Sequence, residues 1–453
     1  MTNVPESQGR APCTTTSEPD FAAFVGLDWA DQKHCWKLVA AGSAGQQQGE
    51  VDNTPEALQT WAAQLYRQFG GGPVAVGLEQ SRGAVVFQLS KFPHLVMYPV
   101  HPTTVAKYRQ AFFPSGSKND PGDTGLLLEL VMHHRDRLRR LNPETGETRL
   151  LQMLTEQRRK LVDEKTRLSN RLTAWLKTYF PQVLGWIDDI DSPLGCAWLE
   201  RWPTLQDVQG CHPGTLRKFF QQHNCRSAAR MQQRIEAIHQ ATPAVTDSAL
   251  LQAGTSITTT MVASLKVLQK SIARLDEEIQ QVARQHPEAS LFVGLPGAGP
   301  VLRPRLIAAF GTQRDRYTTA YQLQSYSGIA PVTSQSGKSQ WVHFRRACPK
   351  FLRQTFHEFA AHSIAKSVWA RAYYETQIAN HKDHHAAVRG LAYKWIRVLF
   401  RCWQNRTPYD EQIYLRALEK RHSPFAKAQA SPEPTGFKWE TVAGFQKFSA
   451  ENT

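Results

Sequence analysis

The chain has 453 residues, with 54 Lys and Arg against 39 Asp and Glu, a net charge of +15 and an isoelectric point near 9.6. Such a balance favours a polyanionic partner, bound with an affinity that falls as salt rises. It argues against acid-rich or membrane-embedded classes, since no run of about 18 apolar residues is present to span a bilayer.

Seven cysteines lie between positions 13 and 402 without a C-x-x-C pair, which excludes a zinc ribbon or a disulfide framework and fits thiols in a reducing cytoplasm. Residues 1–20 are polar, with no apolar segment of the kind a secretory signal needs, and are expected to be a flexible extension. At roughly 150 residues per domain the length allows about three domains.

From Phe21 to Leu141 strand and helix patterns alternate. Phe21–Trp29 and Cys35–Ala41 read as a hairpin. Thr54, Pro55 and Glu56 open a helix that runs to Gln68. Val74–Leu78 follows a GGGP breaker as a buried strand, Arg82–Phe92 is helical, and His94–Val100 is a further strand. Alternation of this kind predicts a mixed α/β sheet domain over 21–141.

The pattern changes at 148–180, where Leu154, Leu161, Leu168 and Trp175 recur every seven positions. Residues 255–285 hold a 4-3 spacing through Met261, Leu265, Leu268, Ile272, Leu275, Ile279 and Val282. Two such helices predict an antiparallel coiled-coil arm or a dimer seam over 148–290, with 181–250 as an insertion at its far end. A mainly helical domain follows over 291–420, with helices Phe351–Ala379 and His384–Gln404. The tail over 421–453 lacks periodicity and is expected to be flexible. The fold class is thus α/β plus α.

Chemistry concentrates at four acids. Asp28 in FVGLDWA and Glu79 in VAVGLEQS each close an apolar strand, which places hard oxygen ligands at the rim of a sheet, where Mg²⁺ can bridge protein and phosphate. Asp120 and Asp123 in KNDPGD stand three apart at the start of an apolar helix. That spacing suits a capping box, and equally puts both carboxylates on one side. Four carboxylates converging without a cation would repel one another and raise their pKa values, so convergence implies bound metal.

Several motifs fail on spacing. SQSGKS has Val332 where a phosphate-binding loop needs glycine, and HEFAAH has Ala361 where a zinc ligand would stand. Gly294, Gly297 and Gly299 reverse the dinucleotide fingerprint order. HKDHH, with His381, His384 and His385, could bind a metal but reads better as solvated helix surface. The turn GLPGAGP has a better use: backbone N–H groups around Gly297 and Gly299 can take a DNA phosphate, though a plain packing turn explains it as well. In SGIAPVTSQSGKSQWVHFRRAC, Ser336 sits in a small-residue loop near Lys338, Arg345 and Arg346, cations able to stabilise charge on a transferring phosphoryl group.

The order of a GLD strand, a GLE strand and K-x-D-x-x-D, followed by GIAPVTSQSGK and a basic stretch, resembles the DEDD transposases of bridge-RNA-guided insertion sequences. The resemblance covers about 21–141 and 291–405. It implies a RuvC-like, RNase H-fold N-terminal domain, a coiled-coil connection and a serine-bearing C-terminal domain. It further implies that Asp28, Glu79, Asp120 and Asp123 hold Mg²⁺ and that Ser336 attacks DNA to form a phosphoserine link. The family's SSGG is QSGK here, which leaves Ser334 as a second candidate.

The expectation is an RNA-guided DNA recombinase of the bacterial cytoplasm, nucleoid-associated when active. Its partners are donor and target DNA, a structured bridge RNA and further copies of itself as a dimer or tetramer. The alternatives are a RuvC-like nuclease using metal-activated water and a non-catalytic nucleic-acid-binding scaffold.

Overall fold

The computed structural model describes residues 19–112, 120–337 and 339–426. Residues 1–18, Lys338 and the tail after 426 lie outside the described residues. The chain divides into two compact units, Met1–Pro143 and Glu144–Thr453.

The first unit is built on five strands: β1 (Ala23–Asp28), β2 (Lys33–Ala40), β3 (Gln46–Asp52), β4 (Val74–Leu78) and β5 (Leu95–Pro99), in the order β3-β2-β1-β4-β5. The first three strands pair antiparallel, and β1, β4 and β5 pair parallel. The parallel strands are apolar almost throughout because both their faces are covered.

Residues Val25, Leu27, Val74, Val76 and Leu78 pack against α1 (Pro55–Gln68) and α2 (Ala84–Leu89). The alternate residues face the other way, where Ala75, Val96 and Tyr98 meet Val131. Val131 belongs to α4 (Asp120–His133), which follows α3 (Pro102–Phe112). This is the RNase H-like mixed sheet that the resemblance implied. The sequence reading missed β3, whose residues QQQGEVD bury only Val51 and so carry no apolar alternation.

The second unit opens with α5 (Gly146–Tyr179). Five helices follow: α6 (Val183–Trp186), α7 (Pro193–Arg201), α8 (Leu205–Gln209), α9 (Pro213–Gln222) and α10 (Ala228–Gln240). Then comes the long helix α11 (Ser248–Gln285). Helices α5 and α11 lie antiparallel. Thr148 Oγ1 meets His286 Nε2 at 2.9 Å, Arg158 Nη2 donates to Asp276 Oδ2 at 3.0 Å, and Tyr179 Oη meets Thr258 Oγ1 at 2.7 Å. At one end their Leu172, Leu176, Val262 and Leu265 join the core of the small helices, which is centred on Trp198 and Phe220. At the other end Leu151 and Ile279 join the core of the remaining helices.

Those helices are α12 (Leu302–Phe310), α13 (Ala320–Tyr326), α14 (Lys350–Ser363), α15 (Val368–Ala379), α16 (His384–Gln404) and α17 (Glu411–Lys420). Between α13 and α14 stands a hairpin of β6 (Val332–Ser336) and β7 (Ser339–His343). Two expectations need correction here. The helix expected over 351–379 is two helices, because the chain breaks at 364–367 and Ser367 Oγ accepts from Ala370 N to start α15. The segment after Leu291 begins not with a helix proper but with a 3₁₀ turn at Ala289–Phe292. No described helix is long and apolar enough to cross a membrane.

Candidate active site

The parallel register of β1 and β4 sets Leu27 opposite Leu78. Asp28, the last residue of β1, and Glu79, the first residue after β4, therefore follow that pair at the same rim. Alternation puts Asp28 on the face of Gly26, while Glu79 lies one residue beyond the pleat of β4. Both carboxylates are half-buried.

The two glycines explain how α4 reaches that rim. A Cβ on Gly26 would lie 2.1 Å from the Thr124 carbonyl oxygen and 2.6 Å from Leu128 N. On Gly77 it would lie 2.4 Å from Val131 Cγ2 and 2.9 Å from the Leu127 carbonyl. The helix backbone thus rests directly on the strand backbones. It crosses from β1, where Thr124 and Leu128 lie over Gly26, to β4, where Leu127 and Val131 lie over Gly77. The signal was present in the sequence as G-L-D and G-L-E, a glycine two residues before each acid.

Asp123 is 4% exposed, and its Oδ1 accepts from Arg109 Nε at 2.9 Å and also from Arg109 Nη2. Sequence reasoning gave Arg109 no role, since nothing local links α3 to α4. Asp120 is the first residue of α4, and its side chain lies outside the described residues. Among the described residues no three His, Cys, Asp or Glu side chains gather to hold a metal. In place of the expected convergence of four carboxylates, the described rim has the Asp28–Glu79 pair, with Asp123 held by a guanidinium. The donors fit a hard divalent cation: two carboxylates of like charge on adjacent strand ends are the kind of set Mg²⁺ uses alongside phosphate oxygens.

The second candidate centre is on the second unit. Ser336 is not in a loop, as its small neighbours suggested, but is the last residue of β6. It pairs with Ser339 across a two-residue turn in which Gly337 has φ +56°. Ser334, two residues back on the same face, pairs with Trp341. Both serines are exposed. Arg345 braces the base of the hairpin: its Nε donates to the Ala330 carbonyl at 3.1 Å and its Nη2 to the Pro331 carbonyl at 3.4 Å. Arg346 is exposed.

The Gly-rich turn is a mixed case. Gly297, with φ +81°, meets the backbone of α14, because a Cβ there would lie 2.6 Å from the His362 carbonyl; this is tight packing. Gly299 has open space around it and lines a groove of about 700 Å³ with Pro296 and Lys366. Of the histidines in HKDHH, His384 Nδ1 meets Tyr374 Oη at 2.8 Å, and Asp383 caps α16 by accepting from Ala386 N.

An RNase H-like mixed sheet with acids at its rim is consistent with a DEDD transposase domain. Residues 25–181 match the IS110-type DEDD transposase model, and residues 289–375 match the model described as "Transposase IS116/IS110/IS902 family"; together they take in more than half of the chain. A Streptomyces coelicolor protein named "Mini-circle putative transposase for IS117" is 24% identical over 411 residues, covering 87% of this chain and 97% of its own length. The "Insertion element IS110 uncharacterized 43.6 kDa protein" of the same organism is 24% identical over 407 residues, with the same coverage. The "Insertion element IS900 uncharacterized 42 kDa protein" of Mycobacterium paratuberculosis is 28% identical over 162 residues, 34% of this chain and 40% of that protein. The chain belongs to the IS110 family of transposases.

Proposed function

We propose that this transposase cuts and rejoins donor and target DNA under the guidance of a structured RNA, working as more than one copy, with carboxylates and a serine sharing the chemistry. The observation that carries the reading is the placement of Asp28 and Glu79 at one rim of the sheet, directly after the paired Leu27 and Leu78 and next to the glycines on which α4 rests. The family's DEDD domain suggests use of a divalent metal. Bound there, Mg²⁺ would polarise a phosphate and neutralise its charge. Asp28 and Glu79 would hold it, with Asp120 from the start of α4. Asp123 would join only by exchanging its bond to Arg109, which leaves that guanidinium able to face phosphate instead.

In the strand-cleavage step the Ser336 Oγ attacks the scissile phosphorus and a Ser–O–P bond forms. The bond from phosphorus to the leaving sugar oxygen breaks, the serine proton passes to a base, and the leaving oxygen takes up a proton. Because the phosphodiester is exchanged rather than hydrolysed, rejoining needs no nucleotide hydrolysis. The absence of a phosphate-binding loop at SQSGKS agrees with this.

Three variants test the reading with supercoiled donor, target DNA and the RNA that co-purifies with the protein. Asp28→Asn should abolish cleavage while leaving melting unchanged, since it removes a rim charge and creates no cavity. Ser336→Ala should keep RNA and DNA bound but lose both strand transfer and the protein–DNA adduct that survives denaturation. If Ser336→Ala recombines and Ser334→Ala does not, the nucleophile is Ser334. If both recombine, water is the nucleophile and the nuclease alternative holds.

A further inference from the structure

The hairpin that carries Ser336 displays side chains a soluble surface usually hides. Trp341 is 53% exposed, Val342 66% and Phe344 45%. Phe344 is already engaged: the Arg353 guanidinium lies 4.6 Å from its ring centroid and that of Arg389 lies 5.3 Å away. Among the described residues, no ring or cation covers Trp341. Its register partner is Ser334, and the neighbouring pair on that same face is Ser336 with Ser339. An indole open to solvent thus stands one pair of residues, roughly 5–7 Å along the strand, from the Ser336 backbone.

The surroundings select a class of ligand. No acidic residue occurs between Asp315 and Glu358, while Arg345, Arg346, Lys350 and Arg353 all do. A polyanion is therefore favoured over an apolar protein partner. An uncovered indole within a basic stretch of chain is the kind of platform on which unpaired bases stack, as every base offers a π-face whatever its sequence.

We infer that Trp341 is a stacking platform for an unpaired base of a DNA strand, holding that strand so that its backbone runs past the Ser336 face of the hairpin. The inference deepens the proposed function, since it names what the serine-bearing hairpin grips. It also stands apart from the chemistry, because stacking needs no reaction. Trp341 acts here as a positioning residue: it fixes where the phosphate lies and takes no part in bond exchange.

The test is equilibrium binding of the full-length protein to a short oligothymidylate at fixed salt. An abasic oligomer of equal phosphate count, a duplex and an oligouridylate serve as comparisons. Trp341→Ala should weaken oligothymidylate binding roughly tenfold, Trp341→Phe should restore most of it, and the parent should bind the abasic oligomer about as weakly as the alanine variant binds the natural one. Duplex binding and melting should be unchanged. Equal binding of parent and Trp341→Ala, or an equal loss on the abasic oligomer, overturns the platform. Tighter Trp341-dependent binding of oligouridylate overturns its assignment to DNA. If instead Ser336→Ala still recombines while Trp341→Ala loses the oligomer, the mechanism is wrong and the platform stands.

Discussion

A single methyl group at position 26 should harm both the fold and the site of the first unit. It would meet the Thr124 carbonyl and the Leu128 amide, both backbone atoms of α4 that no rotamer change can move aside. Overpacking of this kind costs about 1–3 kcal/mol, and here it would also push α4 off the rim. Gly26→Ala should therefore lower the denaturation midpoint and abolish cleavage together. Gly299→Ala, with open space around the new Cβ, should leave stability within about 0.5 kcal/mol. If the turn takes a phosphate through Gly299, the same variant should weaken DNA binding, so one protein separates the phosphate-binding turn from the packing turn. Another residue reports on pH. Burial, with His385 and Arg389 nearby, pushes the His357 imidazole down to about 3. The folded chain keeps this ring neutral where an unfolded chain, with its ordinary histidine value, takes up a proton. Stability from this group is full above about pH 6.5 and falls as pH drops towards 3, by roughly 2 kcal/mol at pH 5. His357→Gln should flatten the loss of melting temperature between pH 7 and pH 5. An unchanged slope would contradict the burial argument.

Among the elements, those with a strong apolar period could be read from the sequence and those without one could not. The parallel strands and the two long helices announce themselves through residues such as Val76, Leu78, Leu265 and Ile279, all of them buried. The edge strand β3 and the hairpin strand β6 do not, because VTSQS and QQQGEVD face solvent along most of their length and are held by backbone pairing that leaves no apolar trace. The rim carboxylates were legible since strands end visibly. The Arg109–Asp123 pair was not, since it depends on how two helices meet. The 4-3 pattern at 261–282 gave two solutions, an antiparallel arm and a dimer seam; within the chain α11 lies antiparallel to α5. Its tightest contacts lie near the two ends, and Leu268 and Leu275 between them are half-buried. Leu265→Lys is thus a sharper probe than either, as it would place an unpaired charge in a fully buried site. It should cost several kcal/mol and release the small-helix core to early proteolysis. Resistance equal to that of the parent would show that this end is not a packed core.

For the molecule as a whole, the excess of cations predicts binding governed by counterion release. If about six phosphates are neutralised, affinity for DNA or RNA should fall roughly a thousandfold between 50 and 200 mM salt. A flat dependence would leave the +15 charge unexplained. The family matches also leave a gap, since neither reaches residues 182–288, the small helices and α11. The geometry gives that gap a meaning. Tyr179, at the last turn of α5, touches Thr258, and its ring packs on Gly254, so the chain leaves for the small helices and returns at nearly the same point. A segment whose two ends already touch is a cassette: exchanging it for another sequence alters neither the path of the chain before it nor the path after it, and closing the gap with a short turn adds little loop entropy. The only debt is at the junction, where Leu172, Leu176, Val262 and Leu265 would need polar replacements once their cover is gone. Variation in length between members of such a family can therefore accumulate at this tip while the rim of acids and the serine hairpin stay as they are.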